Sequence, residues 1–292
     1  MYHLFGAEVR RRWAFSLIEL LVVVALVAML SALLLPVFAS VKASSQRAAC
    51  ASRFHQAQLA AMMYVGDWDD TFPLVSYVPG ASGGPEADRT WVQCLFPYGF
   101  AVPQWRCPSA PPSSGDASPS FDPDLSLGDV SARYYAESFR AHIGLNYLYL
   151  SPVVALGEAW VPQPRSLSMV ASPSSMLLFV DSASPDQRPP TSGSWVVVPP
   201  CRYAVRRTQV LDTFLLGGRP VFTPVAGWLP QETSSGPWYG GAWPWHAGRA
   251  MTVAVDGSAR ARTMAELASG CDVRPNWSGF VRRDGLYPWD LE

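Results

Sequence analysis

The sequence predicts one long N-terminal helix followed by an irregular body of short strands. Three observations carry that prediction. Residues 15–38 form an apolar run of membrane length that holds a single carboxylate, Glu19. Residues 39–65 continue without Pro or Gly, and their apolar side chains recur at helical spacing. Beyond Gly66 the apolar runs are brief, in a chain with 27 Pro, 22 Gly and 12 Trp. The length allows one large domain or two ordinary ones, and the composition, 49% hydrophobic and 15% charged, is globular. A formal net charge of −1 argues against a nucleic-acid partner, which would demand a basic stripe.

The run from Phe15 to Phe38 supplies roughly 20 residues of apolar helix, enough to cross a hydrocarbon core about 30 Å thick. Arg10, Arg11 and Arg12 precede it, while Lys42 and Arg47 follow at lower density. The positive-inside rule then gives a single-pass topology with a cytoplasmic N-terminus and an exported body. A secretory signal peptide would need a cleavage site after the run, and only Ala39 offers a weak one. A plain signal anchor would hold without Glu19. A carboxylate in the membrane costs about 2.5–3.5 kcal/mol on the lenient insertion scale. No Lys or Arg lies four residues away to pair with it. An α-amino group from another chain would serve, and it exists at Phe15 if the chain is cut between Ala14 and Phe15.

FSLIELLVVVALVAML, with its basic leader, resembles the N-terminus of type IV prepilins and type II secretion pseudopilins. With Phe15 as the first mature residue, Glu19 is the fifth and Pro36 the twenty-second, as in that family. The resemblance implies a leader (residues 1–14), a transmembrane and assembly helix (15–38), its extracytoplasmic continuation (39–66) and a C-terminal body (67–292). It implies that a prepilin peptidase/methyltransferase cuts after Ala14 and N-methylates Phe15. It implies that Glu19 guides assembly by pairing with a neighbour's amine. Pro36, lacking an N–H, would mark a kink or local melting of the helix. The family prefers Gly where Ala14 stands, so slower processing is expected; a cut after Gly6 would leave the arginines on the mature chain.

Further along, Phe54, Ala57, Ala61 and Val65 recur at helical spacing, with Leu59, Met62 and Met63 widening the apolar face and Gly66 as the stop. Phe15 to Val65 as one helix would be about 75 Å long. Asp67, Asp69 and Asp70 are the calcium candidates, since some pseudopilins carry a calcium loop. Their spacing fails the EF-hand pattern, and a solvated turn is the better reading. Trp91, Leu95, Phe96 and Trp105 read as packing anchors. Pro111 to Pro123 reads as a surface loop. A short helix and then a strand are expected from Tyr134, a buried strand over Ser174–Ser182, and further strands at Trp195–Val198 and within Tyr203–Leu216.

AMTVAVDGSARART predicts a hairpin turning on Asp256 and Gly257, with Met251, Val253 and Val255 on one face. His246 precedes Asp256 by nine intervening residues. WHAGRAMTVAVDG is similar to the H-X9-DG signature of a group of bacterial prepilin-like proteins. That group also tends to carry a Cys in the first helix, an acidic turn with FP, a CPS element and an apolar strand ending in DS. Here these are Cys50, DWDDTFP, Cys107–Ser109 and FVDS ending at Ser182, in the same order.

His246 with Asp256, and with Asp181, reads either as a metal or catalytic pair or as a hydrogen-bonded residue beside a turn. No nucleophile elbow, H-E-x-x-H or phosphate loop accompanies it, so an enzyme is not expected. Cys50, Cys94, Cys107, Cys201 and Cys271 form no C-x-x-C pair, so no zinc ribbon is indicated. No cofactor is expected; calcium at Asp67, Asp69 and Asp70 is the one ion named, beside the metal reading of His246. If the body is exported, one or two disulfides are expected and at least one thiol is left over. The aromatic run from Pro237 to His246 offers a sugar-stacking surface.

The resemblance thus implies an α+β, pilin-like fold, with a long helix packed on an antiparallel sheet body enlarged by loop insertions. It implies a filament subunit of a type IV pilus or a secretion pseudopilus. Its partners would be like subunits, inner-membrane assembly machinery and, before assembly, bilayer lipid. The alternative is a membrane-anchored extracytoplasmic binding protein, for carbohydrate or a surface ligand, that never polymerises.

Overall fold

The computed structural model describes residues 16–75, 90–100, 102–111, 138–184, 190–223, 228, 240–274 and 277–292. The leader with Ala14 and Phe15, the loop 112–123, the helix expected from Tyr134 up to residue 137, and Pro237–Tyr239 lie outside the described residues. The chain divides into a unit ending at Ser45 and a body from Gln46 to Glu292. The body therefore includes the last turns of the helix, ahead of the boundary expected at residue 67, because helix burial starts at Cys50.

Helix α1 spans Leu17–Asp67. Ser16 opens it: its N–H donates to Glu19 Oε2 at 2.8 Å, and the Glu19 N–H donates to Ser16 Oγ at 3.3 Å. This is a reciprocal S-x-x-E capping box, which satisfies two of the amides a helix start leaves open. The helix runs unbroken through Pro36, so local melting is not seen there. Gly66 does not stop it either. The chain turns away after Asp67 through Asp69 and Asp70, at φ 46° and 62°, a region short polar side chains tolerate.

Up to Val41 the large apolar side chains of α1 are exposed, from Leu17 at 82% to Phe38 at 67%. From Cys50 onward one stripe is buried: Cys50, Phe54, Ala57, Ala61 and Val65, with Gln58 and Tyr64 beside it. Met62 is half-buried, whereas Leu59 and Met63, expected on the apolar face, point to solvent.

The strands are β1 (Ile143–Leu145), β2 (Val153–Leu156), β3 (Ala159–Pro162), β4 (Leu177–Asp181), β5 (Tyr203–Arg206), β6 (Gln209–Asp212), β7 (Leu215–Leu216), β8 (Arg219–Pro220), β9 (Arg249–Ala254), β10 (Ala259–Thr263), β11 (Cys271–Arg274) and β12 (Trp277–Val281). The central sheet has the order β1-β4-β9-β10 and is antiparallel throughout. A second sheet has the order β11-β12-β5-β6, with β12 and β5 parallel, and β2–β3 and β7–β8 form two ribbons. This is an α+β arrangement: the body half of a long N-terminal helix packs on an antiparallel sheet.

Strands β1, β4 and most of β9 are buried on both faces, while the edge strand β10 is partly exposed. Phe179, Met251, Val253 and Val255 share a core with Phe54, Ala57 and Ala61 of α1. Leu177, Val180 and Ala250 join a second core with Val197, Trp228, Tyr287 and Trp289. Burial on both sides explains why β4 reads as a continuous apolar run rather than an alternation. Thr252 is buried too, its hydroxyl donating to Arg260 O at 2.9 Å. Trp91, Leu95 and Trp105 are core residues, as their sequence suggested, with Phe96 half-buried. A disulfide joins Cys201 to Cys271 and ties β11 to the segment before β5.

Several local expectations change. The hairpin between β9 and β10 exists, but its turn has three residues, Val255, Asp256 and Gly257. The Ala254 N–H donates to Ser258 O at 3.1 Å, the Gly257 N–H donates to Ala254 O at 3.0 Å, and Gly257 has φ 91°. A two-residue turn occurs earlier, at Ala247–Gly248, where φ is 51° and 82° and His246 and Arg249 exchange N–H···O bonds of 2.9 and 3.2 Å. Ser138, the first described residue of its segment, is helical and precedes β1, as expected of the stretch from Tyr134, and a further single-turn helix, Tyr147–Leu150, follows the strand. Trp195–Val198 contributes only one bridge, Val196 to Leu145. Tyr203–Leu216 holds the β5–β6 hairpin and the strand β7.

Candidate functional site

Two features of this chain carry chemistry. The first is the exposed N-terminal part of α1, with Glu19 held at its cap. The second is a buried cluster inside the body, made of Cys50, Cys107, Asp181 and His246.

Each member of the cluster comes from a different element. Cys50 is the first buried residue of α1. Cys107 follows a 3-10 turn over Val102–Trp105, and the surrounding loop is strung along the same helix face. Gln46 Nε2 donates to Pro108 O at 2.9 Å, and the Arg53 guanidinium donates to Arg106 O. Positions 46, 50 and 53 are spaced as one helix face. Asp181 ends β4 on the same side as Phe179, and its Oδ2 accepts the Met251 N–H at 2.6 Å. His246 enters through the tight turn before β9.

The four ligating atoms lie within 4.8 Å of one another. The two thiol sulfurs are 3.8 Å apart, and Cys50 Sγ is 3.7 Å from Asp181 Oδ1. His246 Nε2 is 3.5 Å from Cys107 Sγ and 3.4 Å from Asp181 Oδ2. Ser109 Oγ sits 3.0 Å from His246 Nδ1. That contact suits the tautomer whose Nδ1–H donates to Ser109, leaving the Nε2 lone pair for the cluster. All four side chains are buried.

The electrostatics are those of crowded anions. Burial, then the charge on Cys107, pushes the Asp181 carboxyl well above the usual carboxylate range. The Cys50 thiol, donating a hydrogen bond, and then His246 pull Cys107 down to about 5 against the effect of burial. Cys50 is pushed up in turn, first by that hydrogen bond and then by burial. The Cys107 thiol and the Asp181 carboxyl share a space with little water that disfavours their both being charged, and a cation would stabilise both as anions.

The other sequence candidates disperse. Asp256 is exposed in its turn, where Oδ1 accepts the Ser258 N–H at 2.8 Å, so it does not pair with His246. Gly257 rests on α1: a Cβ there would lie 3.0 Å from Gln58 Oε1, while Gln58 Nε2 donates to Val255 O at 2.8 Å. Thus both ends of the H-X9-DG stretch meet α1, His246 through Cys50 and the turn through Gln58.

The acidic turn does not converge. Asp67 Oδ2 accepts the Tyr98 hydroxyl at 2.9 Å, and Asp70 Oδ2 accepts the Ser166 hydroxyl at 3.0 Å. In the aromatic run, Trp245 Nε1 donates to Ser182 O at 2.9 Å and the ring is half-buried against the first core, which makes it a packing residue.

Sequence reasoning named His246 and Asp181 but did not foresee that Cys50, Cys107 and Ser109 would join them. It also missed the Ser16–Glu19 cap, although S-x-x-E ahead of an apolar run is a recognisable signal. The absence of C-x-x-C hid the cluster, because its members are 57 to 139 residues apart where they touch.

A family model described as the prokaryotic N-terminal methylation motif matches residues 10–35. It spans the arginines, Ala14, Phe15 and Glu19. No curated protein and no solved structure matches the chain. The chain therefore carries a prepilin-type, pilin-like N-terminal segment, with a helix long and apolar enough to anchor it in a membrane.

Proposed function

We propose that the chain is a structural subunit of a filament, either a type IV pilus-like fibre or a type II secretion pseudopilus. A prepilin peptidase frees and methylates Phe15. The helix waits in lipid with its N-terminus cytoplasmic, and inner-membrane machinery then moves it into a bundle of like helices. The observation that carries this reading is the methylation motif running into a helix whose large apolar side chains are exposed. From Leu17 to Val41 the large apolar side chains face outward, a surface that needs lipid or other helices to cover it. The disulfide Cys201–Cys271 supports an exported, oxidising location for the body.

A second reading is a membrane-anchored binding protein. It draws on an open cavity of about 490 Å³ walled by Leu148, Tyr149, Val210 and Leu216. Two of the charged groups there are committed to each other, with Arg206 Nη2 donating to both oxygens of Asp290 at 2.9 and 3.0 Å. The filament reading also gives Glu19 a role beyond capping α1, which the binding reading does not.

The test is mass spectrometry of the N-terminal peptide from native membranes, paired with Glu19→Leu. N-methyl-Phe15 in the wild type, and loss of filaments with the variant still membrane-bound, are expected. An intact leader would refute processing. A processed chain whose Glu19→Leu variant assembles normally would refute the assembly role.

A further inference from the structure

We propose that Cys50, Cys107, Asp181 and His246 form a closed structural site for one zinc-type divalent cation, which fastens α1 to the sheet. The proposal stands whether or not the chain polymerises.

The distances carry it. A tetrahedral zinc ion has Zn–S bonds of about 2.3 Å and Zn–N or Zn–O bonds of about 2.0–2.1 Å. Tetrahedral angles then set the ligand-to-ligand edges at about 3.8 Å for S···S, 3.6 Å for S···N or S···O and 3.4 Å for N···O. The observed edges are 3.8 Å between the sulfurs, 3.7 Å from Cys50 to Asp181, 3.5 Å from Cys107 to His246 and 3.4 Å from His246 to Asp181. Four of the six ligand-to-ligand edges therefore match a zinc tetrahedron, with Asp181 meeting Cys50 through Oδ1 and His246 through Oδ2, and the ligating atoms of all four residues lie within 4.8 Å of one another.

The donor chemistry agrees. Two thiolates and an imidazole suit a borderline-soft ion and disfavour calcium or magnesium, which take oxygen. The supporting contacts are of the kind that orient metal ligands: Ser109 at His246 Nδ1, and the Met251 amide at Asp181 Oδ2. Four protein ligands, all buried, leave no open position, which marks a structural site rather than a catalytic one. Binding would release the thiol protons and leave the unit with a formal charge of −1, counting two thiolates, one carboxylate and a neutral imidazole against the dication. The rival fate of two thiols this close in an oxidising compartment is a second disulfide.

The experiment uses the full chain, extracted in mild detergent without an affinity tag or chelator. Elemental analysis should give one zinc per chain. Replacing zinc with Co²⁺ should give the intense visible bands of tetrahedral cobalt and a thiolate charge-transfer band. Cys50→Ser and His246→Ala should lose the metal, while Cys94→Ser keeps it. Alkylation in denaturant with chelator should then find Cys50 and Cys107 as thiols. A Cys50–Cys107 disulfide would overturn the proposal. So would a metal-free protein that takes up neither zinc nor Co²⁺, or a zinc ion that survives both ligand variants. The wild-type measurements decide the matter even if a variant fails to fold.

Discussion

Phe54→Ala should separate the part of α1 that belongs to the body from the part that does not. Phe54 has 0% exposure and packs in the core shared by α1 and the central sheet. Truncating a buried Phe removes its transfer energy and leaves a cavity, typically about 3–5 kcal/mol. Domains are stable by only about 5–15 kcal/mol, so this is a large share. For a body of this size each kcal/mol moves the melting temperature by about 2–4 °C, giving a fall of roughly 6–20 °C. Leu59, five residues on, is 49% exposed, so Leu59→Ala should stay within about 0.5 kcal/mol. Both variants are compared with the wild-type full chain in the same detergent, by urea unfolding followed through tryptophan fluorescence. A Phe54→Ala loss below about 1 kcal/mol, or equal losses for the two variants, would refute the assignment of this helix face to the core.

Two further outcomes are expected. Gly257→Ala combines a φ of 91° with a Cβ 3.0 Å from Gln58 Oε1. A left-handed residue other than glycine costs about 1–2 kcal/mol. The loss should shrink when Gln58 is also replaced by Ala, and a full double-mutant cycle showing no coupling would place the cost in the backbone alone. Alkaline pH should destabilise the body. Burial raises the ionisation of Tyr147, Tyr149 and Tyr287 above the ordinary tyrosine range. Their neutral forms therefore favour the fold: the contribution is complete below about pH 10, where the unfolded side chains titrate, and is lost as pH rises through the raised values. Urea midpoints measured across that range should fall on the alkaline side, and a flat profile would count against burial of these hydroxyls.

The helix was legible because its signals are local. The apolar run, the stripe Phe54, Ala57, Ala61 and Val65, and the lack of Pro or Gly after Pro36 all sit within one stretch. Its end was misjudged by two residues, since Gly66 fits a helix as well as a stop, and Asp69 and Asp70 made the turn instead. The short apolar run of β4 was also readable. So was its neighbour β9 with the hairpin to β10, but the pairing of β4 with β1 was not, because β1 has only three residues and its partner is decided by tertiary packing. The candidate site was half visible. His246 and Asp181 stood out as ionisable residues beside apolar strands, but nothing in a linear sequence says that a helix cysteine and a loop cysteine will face them. In retrospect four of the five short elements that resembled the prepilin-like group carried one of these ligands, the helix Cys, CPS, DS and the His of H-X9-DG, and only the acidic turn did not.

The cap at the start of α1 bears on how a subunit would be stored and released. Because the Glu19 carboxylate already accepts the Ser16 N–H, a chain held in a bilayer would have one hydrogen-bond donor on that acid before assembly. Joining a neighbour through its amine would then be an exchange of donors, with a small net gain rather than the recovery of a whole desolvation cost. An exchange of that kind discriminates between aligned and misaligned neighbours while adding little pull. It also runs backwards easily, so a withdrawn subunit could return to lipid with its acid satisfied and remain available for another round.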